Sequence, residues 1–297
     1  MASTAGSIAL VTCRPQPGIH ADEELPLLVG ALRAAGAEAS VVEWDDPAVD
    51  WARHDLAVIR STWDYTWRSA EFTAWVDRCA AATTLANPPE VIRWNCDKRY
   101  LGDLADAGVP VVDTRYLPPD GGAELPGAGA WVVKPTAGAG ARYAARYDLG
   151  DPADARTAAA HLARLHDEGL TAMVQPYMRH IDVTGERALL FCGGRFLHAI
   201  RKGAVLSPGT AYDVFKTPHP ELRPWRPTAA EHELAEQALA AVPGDPRLLY
   251  ARVDLVDGED GAPRLMELEL IEPNLFLGIH PASLPAVAEA ITAAART

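Results

Sequence analysis

Residues 265–272 read LMELELIE. The alternation is that of a strand, in which Glu267 and Glu269 point to one face, about 7 Å apart, and Leu268 and Leu270 to the other. Two carboxylates on one face of an otherwise apolar strand repel each other unless water or a cation stands in front of them. The preceding YARVDLVDGEDGAP supplies a second strand and a Gly/Asp/Pro turn, so the segment predicts an antiparallel hairpin. In the register that sets Asp254 opposite Glu267, Arg252 falls opposite Glu269, and three carboxylates and one arginine share a face. A slip of one residue would divide the acids between faces. Such a face is either a solvated hairpin surface or a seat for Mg²⁺, which takes a few carboxylate oxygens, waters and phosphate oxygens. Apolar flanks on both sides count against the first.

The first third of the chain alternates strands (IALVTC, EASVVEW, DLAVIRS) with helices (LPLLVGALRAAG, SAEFTAWVDRCAAA), the pattern of βαβ units and a mainly parallel sheet. TTLANPP closes that lobe. A helix is expected over DKRYLGDLADAG, then a strand in VPVVDTRYL and a Pro/Gly-rich loop over 118–129. The strand WVVKP, the loop TAGAGAR, an Ala-rich helix over 152–168 and the strand TAMVQPYM follow. The last third predicts strands RALLFCG and RFLHAIRK, an irregular stretch over 203–228, a helix over 229–241, the hairpin and a final Ala-rich helix. Parallel α/β followed by mixed α+β predicts three lobes with a cleft between them: 1–94, 95–178 and 179–297.

A chain of 297 residues is long for one compact core, which agrees with several lobes. No apolar run is long enough to span a bilayer, and MASTAGSIALVTC lacks the basic start of a signal peptide, so a cytoplasmic protein without a membrane partner is expected. Cys13, Cys79, Cys96 and Cys192 form no CxxC pair and read as free thiols. A net charge of −13 argues against general nucleic-acid binding but leaves room for a small anion in a local basic pocket.

Lys98, at a predicted helix start, and Lys134 and Lys202, at strand ends, are each unremarkable alone, since such lysines usually reach water. TAGAGAR is neither a Walker A sequence nor GxGxxG, but Gly138 and Gly140 let backbone N–H groups approach an anion. RSTWDYTWR follows the strand DLAVI, at the carboxyl end of a parallel strand, where open α/β sheets place ligands. Arg60 there suits a bidentate grip on a carboxylate, and Ser61, Thr62 and Asp64 suit an amine or a carbonyl. The competing reading is a turn and helix cap with packed Trp63 and Trp67. His20 and Asp22, after the first strand, are candidates to line the same pocket, with Asp22 equally a helix cap.

In this order the segments resemble the ATP-grasp superfamily. NCDKRYLGDLADAGVPVVDT is similar to the family's entry into its nucleotide half, and Lys98 and Lys134 match its two phosphate lysines. TAGAGAR matches the flexible glycine-rich loop. VQPYM matches the hinge strand, implying adenine contacts around Gln175, Tyr177 and Met178, with Asp182 or Glu186 reaching the ribose or ordering the site. Lys202 falls near the phosphates; Arg252 matches a phosphate-side cation, and Asp254, Glu267 and Glu269 the metal acids. The family commonly has Glu-x-Asn where this chain has Glu267-x-Glu269, which leaves the ion count open and gives Glu272 and Asn274, in IEPN, a possible share of that work. The resemblance implies ATP and Mg²⁺ as cofactors and a carboxylate activated as an acyl phosphate for capture by an amine-type nucleophile. It needs no side-chain nucleophile, and the sequence carries no Ser-His-Asp or Cys-His signature.

RSTWDY together with ELIEPNLFL resembles a small-molecule cyclo-ligase subgroup. That implies a small amino-acid substrate, O-ureido-D-serine, closed into an isoxazolidinone ring, with Arg60, Asp64, Glu272 and Asn274 as substrate contacts. Two rivals are an intermolecular ligase joining amino acids or a peptide, and a non-catalytic nucleotide-binding module. Retention of all the lysines and acids disfavours the last. A homo-oligomer is compatible with each.

Overall fold

The computed structural model describes residues 6–15, 21–121, 124–213 and 221–296. The first lobe is a parallel sheet of β1 (Ser7–Thr12), β2 (Glu38–Glu43), β3 (Leu56–Ser61) and β4 (Thr84–Ala86), in the order β2-β1-β3-β4. Central β1 and β3 are apolar on both sides, as strands covered on two faces must be. Helix α1 (Glu24–Ala34) covers one face with Leu28 and Leu32; α2 (Ser69–Ala80) covers the other with Phe72, Trp75 and Val76.

The predicted helix over DKRYLGDLADAG is shorter than expected and begins only after a turn. α3 (Pro89–Asn95) was not expected; Pro89 at its first position is preorganised for a helix start. α4 runs Tyr100–Asp106, so Lys98 lies in the turn before it and not in its first helical turn.

The second sheet is antiparallel, β5 (Arg115–Leu117), β6 (Ala130–Pro135), β7 (Ala145–Asp148) and β8 (Ala172–Pro176), ordered β5-β8-β6-β7 and backed by α5 (Pro152–Asp167). Asp151 caps α5 by accepting from the N–H groups of Ala153 and Asp154. Of VPVVDTRYL only the end is β5; Pro110 and Val112 bond instead to Leu265 of the third sheet.

After the short α6 (Ile181–Thr184), the third sheet contains β9 (Glu186–Cys192), β10 (Arg195–Lys202), β11 (Leu222–Trp225), β12 (Tyr250–Asp257) and β13 (Pro263–Glu269), all antiparallel, ordered β11-β10-β9-β12-β13. β11 corrects the expectation of wholly irregular chain over 203–228. Its Arg- and Pro-containing sequence hides a strand because it is an edge, where Pro224 costs no internal ladder bond. α7 (Ala229–Ala240), opened by a Thr228/Glu231 capping box, and α8 (Leu284–Ala294) complete the chain.

The β12–β13 register is the one that gathers the acids: Arg252 faces Glu269 and Asp254 faces Glu267. A bulge between Asp254 and Leu255 gives β13 an extra residue, Met266. Leu268 and Leu270 are buried beneath.

One core joins the first and third sheets, with Ile8, Leu10, Leu28 and Leu56 packed on Leu190, Tyr250, Leu277, Val287 and Ile291. Polar side chains pin the same interface. Asn87 Nδ2 donates to the carbonyls of Tyr250 (2.9 Å) and Leu270 (2.7 Å), and Asn87 Oδ1 accepts from Leu249 N–H. Asn95 bonds both Leu268 O and Leu270 N at 2.8 Å. The central sheet encloses a core of its own around Val133, Tyr147, Leu165 and Val174.

Candidate active site

A cavity of about 710 Å³ lies where the lobes meet. Its walls include β6 and the glycine-rich loop on one side, β8 and the chain through Met178 at one end, and the acidic hairpin beneath. Lys98, Lys134, Gly138, Gly140, Gln175, Tyr177, Met178, Glu186, Lys202, Arg252, Asp254, Glu267, Glu269, Glu272 and Asn274 all line it, although they lie up to 176 positions apart in sequence.

The carboxylates face cations. Lys98 Nζ stands 3.2 Å from Glu267 Oε1 and donates to Gly138 O. Arg252 Nη2 contacts Asp254 Oδ2 at 2.9 Å and also bonds Glu269. Lys202 Nζ contacts Asp254 Oδ2 at 2.8 Å and pairs with Glu186. Burial pushes the Asp254 pKa upward, but Arg252 and Lys202 outweigh it and hold this carboxyl well below the usual range. Glu267 is likewise desolvated, yet Lys98 and Lys134 keep it below its ordinary value. For Glu269 burial wins over Arg252, with Glu267 and Asp254 adding to it, so its pKa rises. Burial also wins at Glu186, raised to about 7.

Lys134 differs from the other cations. Its ammonium makes no hydrogen bond or ion pair with any described residue. Its pKa is lowered, first by burial, with Lys98 and Lys202 nearby contributing. It projects from β6 into the cavity as a cation without a direct counter-ion.

Asp254, Glu267 and Glu269 each bring a carboxylate oxygen within 4.8 Å of the others. Hard oxygen donors at that spacing suit a hard divalent cation such as Mg²⁺ and not a softer metal.

Five predicted site residues are not brought to the cavity. Arg60 is 2% exposed and donates to Pro273 O at 3.0 Å and to Glu24 Oε2 at 3.2 Å, so its guanidinium is committed inside the protein. Ser61 bonds Thr12 Oγ1, and the Thr62 hydroxyl is buried. Asp64 accepts from Trp44 Nε1 and Arg68 Nη1. RSTWDYTWR is thus largely a packed corner; its Trp63 alone lines the cavity. Asp182 is turned to Tyr177 OH and to Arg146, which stacks over the Tyr177 ring. Asp22 lines the cavity, and its Oδ1 accepts from Glu24 N–H at 2.9 Å, one position ahead of the N-cap residue Glu23. His20 lies outside the described residues.

Sequence reasoning passed over Glu24, Arg142, Met266 and Phe276 and read Trp63 only as a packed residue, yet all five line the cavity. Arg142 closes the TAGAGAR loop against the first lobe, its guanidinium 4.7 Å from the Trp67 ring and 4.4 Å from that of Tyr143. An arginine ending a glycine loop, with exposed tryptophans elsewhere, was the available signal.

This geometry has close counterparts. The family description "D-cycloserine synthetase DcsG, N-terminal domain" matches residues 8–87. The cycloserine biosynthesis protein DcsG of Streptomyces lavendulae is 39% identical over 289 residues, covering 92% of this chain and 93% of that protein. The crystal structure of D-cycloserine synthetase DcsG superposes with a TM-score of 0.86 at 36% identity, over 98% of this chain and 100% of that one. More distant likenesses include the RimK domain ATP-grasp protein of Sphaerobacter thermophilus (TM-score 0.66, 19% identity, 98% and 100% covered). Another is the D-alanine–D-alanine ligase of Bacillus anthracis complexed with ATP (TM-score 0.66, 15% identity, 98% of each chain). Fold and site thus define an ATP-dependent ligase of the ATP-grasp type. Within that class, the chain belongs to the DcsG family. No helix among the described residues is long and apolar enough to cross a membrane, and the four cysteines are free thiols.

Proposed function

We propose that this ligase closes O-ureido-D-serine into D-cycloserine at the expense of ATP, with Mg²⁺. The observation that carries the reading is Lys134: a desolvated cavity cation without a partner, next to Lys98 and Lys202, favours a polyanion such as a triphosphate. The first lobe's share of the lining supports an amino-acid substrate, since Asp22 and Glu23 are acidic, as is Glu272, and suit an ammonium group. A cavity of about 710 Å³ accommodates a nucleotide with a small amino acid and favours the cyclo-ligase over a ligase of long peptides. The nucleotide would lie between the 95–178 and 179–297 lobes, and the amino acid between the latter and 1–94.

The substrate carboxylate oxygen attacks the γ-phosphorus and ADP leaves, giving an acyl phosphate. The ureido nitrogen attached to oxygen then attacks the acyl carbon and phosphate departs. One water releases the carbamoyl group as carbon dioxide and ammonia. The nucleophile is tethered, which replaces a second substrate with a high effective molarity. Lys98, Lys134, Lys202 and Arg252 offset charge on the transferring phosphoryl group, and the backbone of Gly138 and Gly140 closes over it. Asp254, Glu267 and Glu269 would hold Mg²⁺, which when bound neutralises phosphate charge. Loop closure excludes water from the acyl phosphate. Met178 and Pro176 supply the adenine edge by their backbones, because Tyr177 N–H is taken by Ala130 O and the Gln175 amide by Thr114.

The test is phosphate release from ATP with Mg²⁺ and O-ureido-D-serine alone, with the ring product identified by mass. Activity only when two amino acids are supplied together would replace this reading with an intermolecular ligase.

A further inference from the structure

The loop after β13 presents Glu272, Asn274, Phe276, Gly278 and Ile279 to the cavity, and its backbone is held at four points by buried polar side chains. Arg60, from β3, donates Nη1–H to Pro273 O at 3.0 Å. Glu24, the first residue of α1, accepts the N–H of Leu275 on Oε2 (3.0 Å) and that of Leu277 on Oε1 (2.5 Å), while Arg60 Nη2 donates to Oε2 at 3.2 Å. His198, from β10, stands 2.9 Å from Leu275 O through Nε2. A carbonyl only accepts, so Nε2 carries the proton and Nδ1 accepts from Ser283 Oγ–H at 2.8 Å. These three side chains are 2%, 8% and 5% exposed. The loop needs such restraint. Phe276 has φ +53°, a conformation that a non-glycine residue keeps only when its surroundings impose it.

We propose that Arg60, Glu24 and His198 are positioning residues that set the affinity for the amino-acid substrate by fixing the 272–279 loop. None is assigned to the chemistry. Both carboxylate oxygens of Glu24 are occupied, and Arg60 and His198 lie off the cavity lining. The nucleotide lysines Lys98, Lys134 and Lys202 lie on other elements, so the clamp acts on one substrate and not on the other. The assignment of the loop to the amino acid rests on the function proposed above.

Glu24→Gln keeps the shape but removes one acceptor and the charge. The expected result is an amino-acid KM raised about tenfold or more, with ATP affinity by calorimetry unchanged and with faster hydrogen exchange at the Leu275 and Leu277 amides. Arg60→Lys, which keeps the charge but loses the fork, gives the same pattern to a smaller degree and decides the matter if Glu24→Gln does not fold. Parental KM and parental exchange in a folded variant overturn the proposal. So does an equal loss of affinity for ATP and amino acid, the mark of a merely structural role. Exchange is read without turnover: exchange in the folded variants that matches the parent refutes the clamp, whereas inactivity of the parent protein on O-ureido-D-serine refutes the substrate assignment.

Discussion

At the scale of single residues, the site is a set of charges most of which pair directly with one another, while Lys134 acts on Glu267 only at longer range. Removing Lys134 therefore breaks no direct ion pair with a described residue. Lys134→Ala is expected to weaken ATP binding about tenfold or more, as for loss of a charged hydrogen bond, with little change in the melting temperature. Calorimetry and thermal melting check both halves. Glu267→Gln, by contrast, spares the hairpin's shape but takes a carboxylate from the acid trio. Mg²⁺-dependent turnover should fall at least about 100-fold, the scale of lost charge stabilisation, with the fold intact by circular dichroism. Two other residues bear on pH. Burial depresses His161 and His198 to about 4, below the value of histidine in an unfolded chain. The unfolded chain thus binds protons that the folded one refuses as pH drops from about 6.5. Stability should be fully present above that pH and decline toward pH 4, read as a melting midpoint lower by a few degrees at pH 5 than at pH 7.5.

At the scale of elements, β13 shows what could be read from sequence and what could not. Its alternation, its partner strand and its acid-bearing face were legible because a strand's period of two leaves few alternatives once Leu268 and Leu270 must be buried. The bulge at Met266 was not, since an extra residue alters no local pattern. RSTWDYTWR shows the opposite failure. Its position at a strand end marked it as ligand-facing, but whether Arg60 meets a ligand or a loop depends on Pro273 and Glu24, which no local pattern reveals. β11 and α3 were missed because edge strands and short proline-led helices carry weak periodicity. The strand's attachment is testable. Asn95 bonds Leu268 O and Leu270 N, so Asn95→Ala strands two buried backbone groups. A loss of about 1–3 kcal/mol is expected, seen as a lower urea midpoint with an unchanged slope.

At the scale of the whole molecule, the first and third sheets share a core and a row of asparagine pins, and α4 packs on the third sheet, whereas the central sheet and α5 enclose a core of their own. Three lobes were visible in the order of strands and helices; which two are fused was not, because Asn87 and Tyr250 lie 163 positions apart. The fusion bears on how the protein is made. The carboxylate of Glu24 is synthesised early, but the amides that it holds, those of Leu275 and Leu277, are 251 and 253 positions further on. Helix α1 likewise waits for α8, the last helix, to cover its apolar side. A chain cut before Leu275 thus keeps the TAGAGAR loop but leaves Glu24 without the amides that it holds and α1 without its apolar cover.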